Sequence, residues 1–301
     1  MTWLRFLAKS VVHGAIDLSG KPRRIRGRRR DRLHILTYHS FSKDWTSGFS
    51  NSLSAQRFEK QVQFLRRYFS VVSLEDGLRR LQHGKIEDKP LAAITIDDGF
   101  EDNYSYAWPI LRNHCVPTTI FLATDFIDAG RLPWPNQLNE FLYRTRKQVM
   151  KAPFFADLGC VTARRIAVRR LKHELSFLAP EERFAMLETL RKHLEIEGRV
   201  TRKPLTWDQI RSMKAEGIRF GSHTKYHSML PMMPEAVVRD ELLESKRRIE
   251  QELGGLCQTF AYPDGKHNDK TKSALRDAGY TVAVTQDLGA NNADAEWLCL
   301  K

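Results

Sequence analysis

A chain of 301 residues with 42% apolar side chains is long enough to bury one large core or two smaller ones. Its 49 lysine and arginine residues exceed its 36 acidic residues, which gives a net charge of +13 and favours anionic partners. The four cysteines are widely spaced and form no Cys-x-x-Cys pair, so neither a disulfide-rich scaffold nor a zinc knuckle is predicted. The sequence contains no run of about eighteen apolar residues, so it predicts no membrane-spanning helix.

A basic arm is predicted over residues 1–30, because residues 21–30 hold seven cations and no anion. Such a run is usually solvated, although it could also bind an anionic membrane surface. It is too short and too far from aromatic side chains to indicate nucleic-acid recognition. The apolar residues before it are interrupted by charges, which is not typical of a signal peptide and fits an amphipathic surface helix or a docked terminal helix equally well. We therefore expect the protein in the cytoplasm or at the inner face of the membrane.

From residue 31 onwards, buried strand patterns alternate with amphipathic helix patterns, which is typical of parallel strands joined by helical crossovers. Strands are predicted at 33–38, 71–72, 91–96, 118–122, 218–220, 258–262 and 280–284. Helices are predicted at 54–68, 73–84, 104–114, 206–215, 235–253 and 268–278, the first with Ser54 as its N-cap. This order predicts an α/β fold, for which a barrel and an open sheet remain alternatives.

Residues 131–204 interrupt the alternation. Charged stretches with helical spacing cover about 137–149, 163–177 and 180–196, and no strand is predicted among them. We interpret residues 131–204 as a helical insertion, serving as a substrate lid or an oligomer contact. It would divide a catalytic domain of residues 31–290, which a C-terminal tail of residues 291–301 follows.

Two acidic residues and two histidines carry the chemistry. Asp97 and Asp98 directly follow a predicted strand, and His223 and His227 stand four residues apart after another strand. Taken singly, Asp-Asp-Gly is common in turns, and a histidine pair at this spacing is common on surfaces. Taken together, they supply three ligands for a divalent ion and one spare carboxylate as a base, which favours a metal-dependent hydrolase. His39 also ends a predicted strand, at the edge where parallel folds carry their active sites.

Three segments resemble the first three motifs of the NodB-type polysaccharide deacetylases, in the family's order. They are Thr-Ile-Asp-Asp-Gly at 95–99, Ser-His-Thr-Lys-Tyr-His at 222–227 and Phe-Ala-Tyr-Pro-Asp-Gly at 260–265. The resemblance covers about residues 33–290, apart from the insertion. It implies a distorted parallel (β/α) barrel that hydrolyses the acetamide group of an N-acetylated sugar.

The same resemblance implies roles for individual residues. Asp97 would be the general base, and the backbone N–H near Asp264 would help to hold the oxyanion. The implied ligands of a divalent ion, usually Zn²⁺, are Asp98, His223 and His227. Ile-Leu-Thr-Tyr-His-Ser at 35–40 resembles a segment of the bacterial biofilm-polysaccharide deacetylases in which the histidine is the acid. His39 is therefore the candidate general acid, with a polar residue at the barrel rim as the alternative interpretation.

Two departures from the family pattern keep other functions open. Ala261 stands where many members have an arginine that orients the base, and no late Leu-x-His motif follows. A catalytically weak glycan-binding protein is one alternative, and a hydrolase of a small non-sugar amide is another. A third is a scaffold that acts through the basic arm. The expected partner remains an N-acetylated glycan or glycolipid, on which Trp134, Trp207, Tyr226 or Tyr262 could stack if they are not packed in the core.

Overall fold

The computed structural model describes residues 30–43, 52–84, 88–151, 154–198 and 202–301. The predicted basic arm, apart from Arg30, lies outside the described residues. Among the residues that are described, no helix combines the length and the apolar character needed to cross a bilayer.

The described part of the chain contains a parallel sheet and two small strand pairs. Its strands are β1 (Leu33–Tyr38), β2 (Ser40–Ser42), β3 (Ser52–Ser54), β4 (Ser70–Val71), β5 (Leu91–Ile96), β6 (Thr118–Leu122), β7 (Val149–Met150), β8 (Ala156–Asp157), β9 (Arg219–Ser222), β10 (Thr259–Ala261) and β11 (Val282–Val284). The main sheet has the order β1-β5-β6-β9-β10-β11, and β4 pairs with the start of β5. Every pairing in this sheet is parallel.

Helices cover the sheet. They are α1 (Ala55–Tyr68), α2 (Leu74–Gln82), α3 (Trp108–Asn113), α4 (Thr124–Ala129), α5 (Trp134–Arg144), α6 (Val161–Leu175), α7 (Pro180–His193), α8 (Trp207–Ala215), α9 (Glu235–Leu253) and α10 (Asp269–Asp277). All six residues of β5 are buried, as expected for a parallel strand covered on both faces. The sheet curls into a partial barrel, which confirms the predicted distorted parallel (β/α) barrel.

Side-chain capping hydrogen bonds form at some helix starts and are absent at others. Ser73 accepts a hydrogen bond from the backbone N–H of Asp76, and Thr206 forms a capping box with Gln209. The prediction that Ser54 caps α1 was wrong, because its side chain makes no capping hydrogen bond. Ser54 instead belongs to β3, which pairs in parallel with β2.

The segment from residue 291 to 301 contacts both edge strands of the sheet. Asn291 pairs with Leu33 in β1, and Leu300 pairs with Val284 in β11. Leu300 is fully buried. The predicted C-terminal tail is thus packed across the gap between the first and last strands.

The predicted insertion contains α5, α6 and α7, as its helical spacing indicated, and also the antiparallel pair β7–β8, which was not predicted. Its apolar side chains form one cluster that includes Trp134 and Leu190. The same cluster contains Phe126 of α4 and Met229 of the loop after β9. The insertion is therefore packed directly against the loops that follow the main sheet.

Candidate active site

The structure brings the predicted site residues to the carboxyl-terminal edge of the sheet. The loops that follow β1, β5, β9 and β10 carry them in chain order: His39, Asp97 with Asp98, His223 with His227, and Asp264. Strands β5 and β9 flank β6, so their carboxyl ends are only one strand apart. The fold thus collects residues that lie more than 120 positions apart in the sequence.

Asp98, His223 and His227 form a compact buried cluster. The Oδ1 atom of Asp98 lies 3.2 Å from Nε2 of His227 and 3.6 Å from Nε2 of His223. One ligand atom from each side chain falls within 4.8 Å of the other two. All three residues are buried, and Asp98 and His227 both have positive φ, at 76° and 54°. This unusual backbone geometry turns the side chains towards one point, as a shared ion requires.

The hydrogen bonding of the cluster suits a metal ion. Nδ1 of His223 lies 2.8 Å from the carbonyl oxygen of Ala261. Because a carbonyl only accepts, Nδ1 carries the proton and the Nε2 lone pair is directed at Asp98. Oδ1 of Asp98 is buried without a hydrogen-bond partner in the described residues. Two imidazoles and one carboxylate match the ligand set of a catalytic zinc ion. The residues of this cluster therefore fit a zinc ion.

Burial and neighbouring groups give the two adjacent carboxylates opposite properties. Burial raises the pKa of Asp97 to about 7, although the nearby His39 opposes the rise. Burial would also raise the pKa of Asp98, but the His227 imidazole reverses this effect and holds that pKa well below its usual range. Burial lowers the pKa of His223 to about 3, with His227 as the next cause, so the ring is neutral as a ligand must be. Asp97 is thus suited to exchange a proton, and Asp98 to bind a cation.

His39 faces Asp97 across the cleft. Its Nε2 lies 3.9 Å from Oδ2 of Asp97, and its side chain is 25% exposed whereas that of Asp97 is 3% exposed. Asn103, in a π-helical turn before α3, donates a hydrogen bond to the carbonyl oxygen of His39 and another to Asp102. Ser40 donates to the other oxygen of Asp102 at 2.6 Å. These bonds fix the backbone that carries His39.

Glu241 of α9 holds the loop that carries the two imidazoles. Its buried Oε2 accepts hydrogen bonds from the backbone N–H groups of Lys225 and Tyr226, each at 2.8 Å. These amides lie between His223 and His227, so Glu241 sets the curvature of the loop at its centre. Nothing in the spacing of α9 distinguishes this glutamate from its exposed neighbours.

Two residues of the insertion support the same loop from the other side. The indole Nε1–H of Trp134 donates to the carbonyl oxygen of His227 at 3.0 Å. Arg183, which is fully buried, donates to the Ser228 hydroxyl at 3.1 Å and lies over the Trp134 ring at 4.9 Å. Trp134 is therefore a core residue, as its default interpretation predicted, but its polar atom also fixes the loop that carries the two imidazoles.

Asp264 contacts the insertion rather than the cluster. Its backbone is left-handed with φ of 53°, and its carboxylate lies 2.7 Å from Nζ of Lys172 in α6. Burial would raise the pKa of Asp264, but Lys172 and His227 together lower it, so the carboxylate is ionised. Sequence reasoning missed Lys172, because one lysine in a charged helix carries no signal of its own.

The remaining aromatic candidates have partners within the protein. Tyr262 is buried and donates to the carbonyl oxygen of Leu298. Trp207 donates to Asp128 and lies under Arg248. Tyr226 is half-buried and packs edge-on against a phenylalanine of α7. Core packing thus accounts for Tyr262. Tyr226 lies within the loop that carries the two imidazoles.

Comparison with known proteins identifies the family. The sequence profile of the family described as polysaccharide deacetylase matches residues 84–283, about two thirds of the chain. The chain belongs to the polysaccharide deacetylase family. It is therefore a hydrolase of the deacetylase type, acting on carbon–nitrogen bonds other than peptide bonds. The family is generally metal-dependent, in agreement with the buried Asp-His-His cluster of this deacetylase.

Individual relatives agree with this assignment. YxkH of Bacillus subtilis (strain 168), named as a candidate polysaccharide deacetylase, is 24% identical over 265 residues, which cover 87% of this chain and 67% of the relative. The structure of the Streptococcus pyogenes deacetylase PplD in complex with acetate superposes with a TM-score of 0.61 at 20% identity, covering 89% of this chain and 90% of the other. IcaB from Ammonifex degensii superposes with a TM-score of 0.58 at 18% identity, covering 90% of each chain. At these identities the two structures support the fold alone.

Proposed function

We propose that this protein is a zinc-dependent deacetylase that removes acetyl groups from N-acetylated sugars of a polysaccharide or glycolipid. The observation that carries the proposal is the buried cluster of Asp98, His223 and His227 with Asp97 beside it. A ligand set of three leaves open positions for water and substrate, as in catalytic zinc sites. A divalent ion held there lowers the pKa of water to about 7 and polarises an amide carbonyl.

The residues of the chain have separate tasks in this mechanism. Asp97, adjacent to the ligand set but outside it, takes the proton of the attacking water, as its raised pKa allows. The backbone N–H near Asp264 stabilises the oxyanion of the tetrahedral intermediate. His39 then donates a proton to the amine, which leaves only once it is protonated. The 3.9 Å between His39 and Asp97 is longer than a hydrogen bond, so a proton would pass between them only through a water molecule or the substrate.

Metal content and acetate release test this proposal together. We expect wild-type protein to bind one tightly held zinc ion at the cluster and the His223→Ala, His227→Ala double variant to lose it. Asp97→Asn should keep the zinc and lose turnover by about 10²–10⁴-fold, because it removes only the base. Zinc that fails to bind wild type would overturn the proposed zinc dependence. Full activity in Asp97→Asn would remove that residue from the role of base.

The substrate is tested separately from the chemistry. Acetate released from N-acetylated oligosaccharides would support the sugar substrate. Zinc binding combined with turnover of simple acetamides alone would favour the hydrolase of a small non-sugar amide. Binding of oligosaccharides without any acetate release would favour the catalytically weak glycan-binding protein.

We also propose that residues 21–30 hold this deacetylase at an anionic membrane surface, where lipid-linked glycans are accessible. The seven cations of that run support the proposal, since each basic residue near an anionic surface contributes about 1 kcal/mol. Co-sedimentation with phosphatidylserine vesicles should be lost when residues 1–30 are removed, whereas kcat should be unchanged. Equal sedimentation of both chains would overturn this proposal, and loss of kcat would favour a role for the arm inside the domain.

A further inference from the structure

A second group of potential metal ligands lies outside the site described above. His267, Asp287 and Cys299 each offer one ligand atom, and these three atoms lie within 4.8 Å of one another. Sγ of Cys299 is 3.0 Å from Nε2 of His267. His267 follows the third motif, and Asp287 follows β11. Cys299 belongs to the segment of residues 291–301, which packs between the edge strands. Their proximity is a product of the fold and not of the sequence spacing.

Specific contacts bring the three segments together. Gly265 has φ of +66°, and a Cβ atom there would come within 2.5 Å of the backbone nitrogen of Gln286. Glycine therefore allows the third-motif turn to touch the loop that carries Asp287. On the opposite side, the Tyr262 hydroxyl donates to the carbonyl oxygen of Leu298, next to Cys299. The Tyr262 ring also packs against His267 at 5.4 Å.

The histidine of this group is oriented like a metal ligand. Nδ1 of His267 lies 3.1 Å from the carbonyl oxygen of Gly265, so Nδ1 carries the proton and Nε2 presents its lone pair to Cys299. His223 is oriented in the same way by the carbonyl oxygen of Ala261. A backbone carbonyl on the second ring nitrogen is the usual support of a histidine ligand. Without a metal, the Cys299 thiol donates its proton to Nε2.

We propose that His267, Asp287 and Cys299 bind a second divalent transition-metal ion of the zinc or cobalt type. The proposal is independent of the proposed function. One sulfur, one nitrogen and one oxygen ligand form a set that zinc accepts, and the thiolate disfavours magnesium and calcium. Binding releases the thiol proton of Cys299, so the sulfur coordinates as a thiolate. Asp287 is exposed and His267 and Cys299 are half-buried, so the ion has an open path from solvent and keeps one position for water.

The ion would link the segment after residue 291 to the turn that carries Asp264. This turn already touches the insertion through Lys172. A metal at the second site would therefore stabilise the third motif from the side opposite to the insertion. Its role is structural, and we expect weaker binding than at the cluster of Asp98, because fewer of its ligands are buried.

Cobalt(II) distinguishes the two sites, because the cluster of Asp98 contains no sulfur. Full-length protein freed of metal by chelation is titrated with cobalt(II), and the near-ultraviolet thiolate-to-cobalt charge-transfer band is recorded. We expect the band in wild type and in His223→Ala, and its loss in Cys299→Ser and in His267→Gln. Cys115→Ser is the matched control, since Cys115 is an exposed free cysteine outside the group. It should keep the band.

Two outcomes would overturn the proposal. One is wild-type protein without a charge-transfer band at two equivalents of cobalt, and the other is a band that persists in Cys299→Ser. Circular dichroism of each variant establishes that a lost band does not come from misfolding. A thermal shift gives an independent check: zinc should raise the Tm of the His223→Ala, His227→Ala variant, and adding Cys299→Ser should abolish that rise. The same rise with and without Cys299 would also reject the second site.

Discussion

Replacing Glu241 with alanine should destabilise the protein and weaken its metal site together. The buried carboxylate accepts two backbone N–H groups from the loop between His223 and His227. Each hydrogen bond to a charged group contributes roughly 1.5–3 kcal/mol, so the loss of two predicts a fall of about 3–6 kcal/mol in the free energy of unfolding. A misplaced loop should also weaken zinc binding by about 10–100-fold, as seen when partners of metal ligands are removed.

Urea denaturation and zinc competition with a chelator measure the two effects. Glu244→Ala is the matched control, because Glu244 lies on the same helix and pairs only at the surface with Arg247. Exposed pairs of this kind contribute about 0–1 kcal/mol, so the control should resemble wild type. Glu241→Gln keeps an oxygen for the same two donors and should retain most of the stability. If Glu241→Ala unfolds within 1 kcal/mol of Glu244→Ala and binds zinc normally, the argument that this carboxylate shapes the loop is refuted.

Three further predictions concern residues around the site. Burial raises the pKa of Asp102 from 3.8 to about 6, so its contribution to stability is present below pH 4 and lost as the pH rises through 6. Relative to Asp102→Asn, which stays neutral, wild type should lose up to about 3 kcal/mol in its free energy of unfolding across that range. Urea unfolding at several pH values measures this difference, and a free energy of unfolding that changes with pH equally in both proteins would contradict the prediction. Lys172→Ala should lower kcat/KM about tenfold, because the ion pair of Lys172 with Asp264 fixes the Asp264 turn. The Tm should change little, because a partly exposed ion pair contributes little stability. Lys172→Arg should recover kcat/KM. Arg169→Ala, on the same helix, is the control for that comparison. Trp134→Phe should cost roughly 1–3 kcal/mol in urea unfolding, since it leaves the buried His227 carbonyl without its donor; an unchanged midpoint would mean that the loop finds another partner.

Sequence periodicity predicted the regular elements well and the irregular ones poorly. The strand at 91–96 and the helix at 235–253 match the structure, because each has a long apolar pattern. The pairs β2–β3 and β7–β8 were missed, since strands of two or three residues are too short to show alternation. The helix predicted at 104–114 begins as a π-helical turn at Asn103, where the buried side chain binds the His39 backbone. The π-helical turn accompanies a tertiary contact of Asn103, and helix propensities contain no information about such a contact.

The same distinction holds for the site. Asp97, Asp98, His223 and His227 could be chosen because their residue types and strand-end positions carry chemical meaning by themselves. Lys172 and Asp264 lie 92 residues apart, and Trp134 and His227 lie 93 apart. No periodic pattern connects positions so distant. The supporting contacts of the site therefore became visible only in the folded chain.

The dependence of the imidazole loop on the insertion has a consequence for the order of folding. Trp134 and Arg183 bind the loop only after α5 and α7 have docked on the barrel. Until then, the chain between His223 and His227 lacks two of the groups that hold its shape. If the cluster binds zinc as proposed, we expect zinc loading in refolding to follow the assembly of residues 131–204.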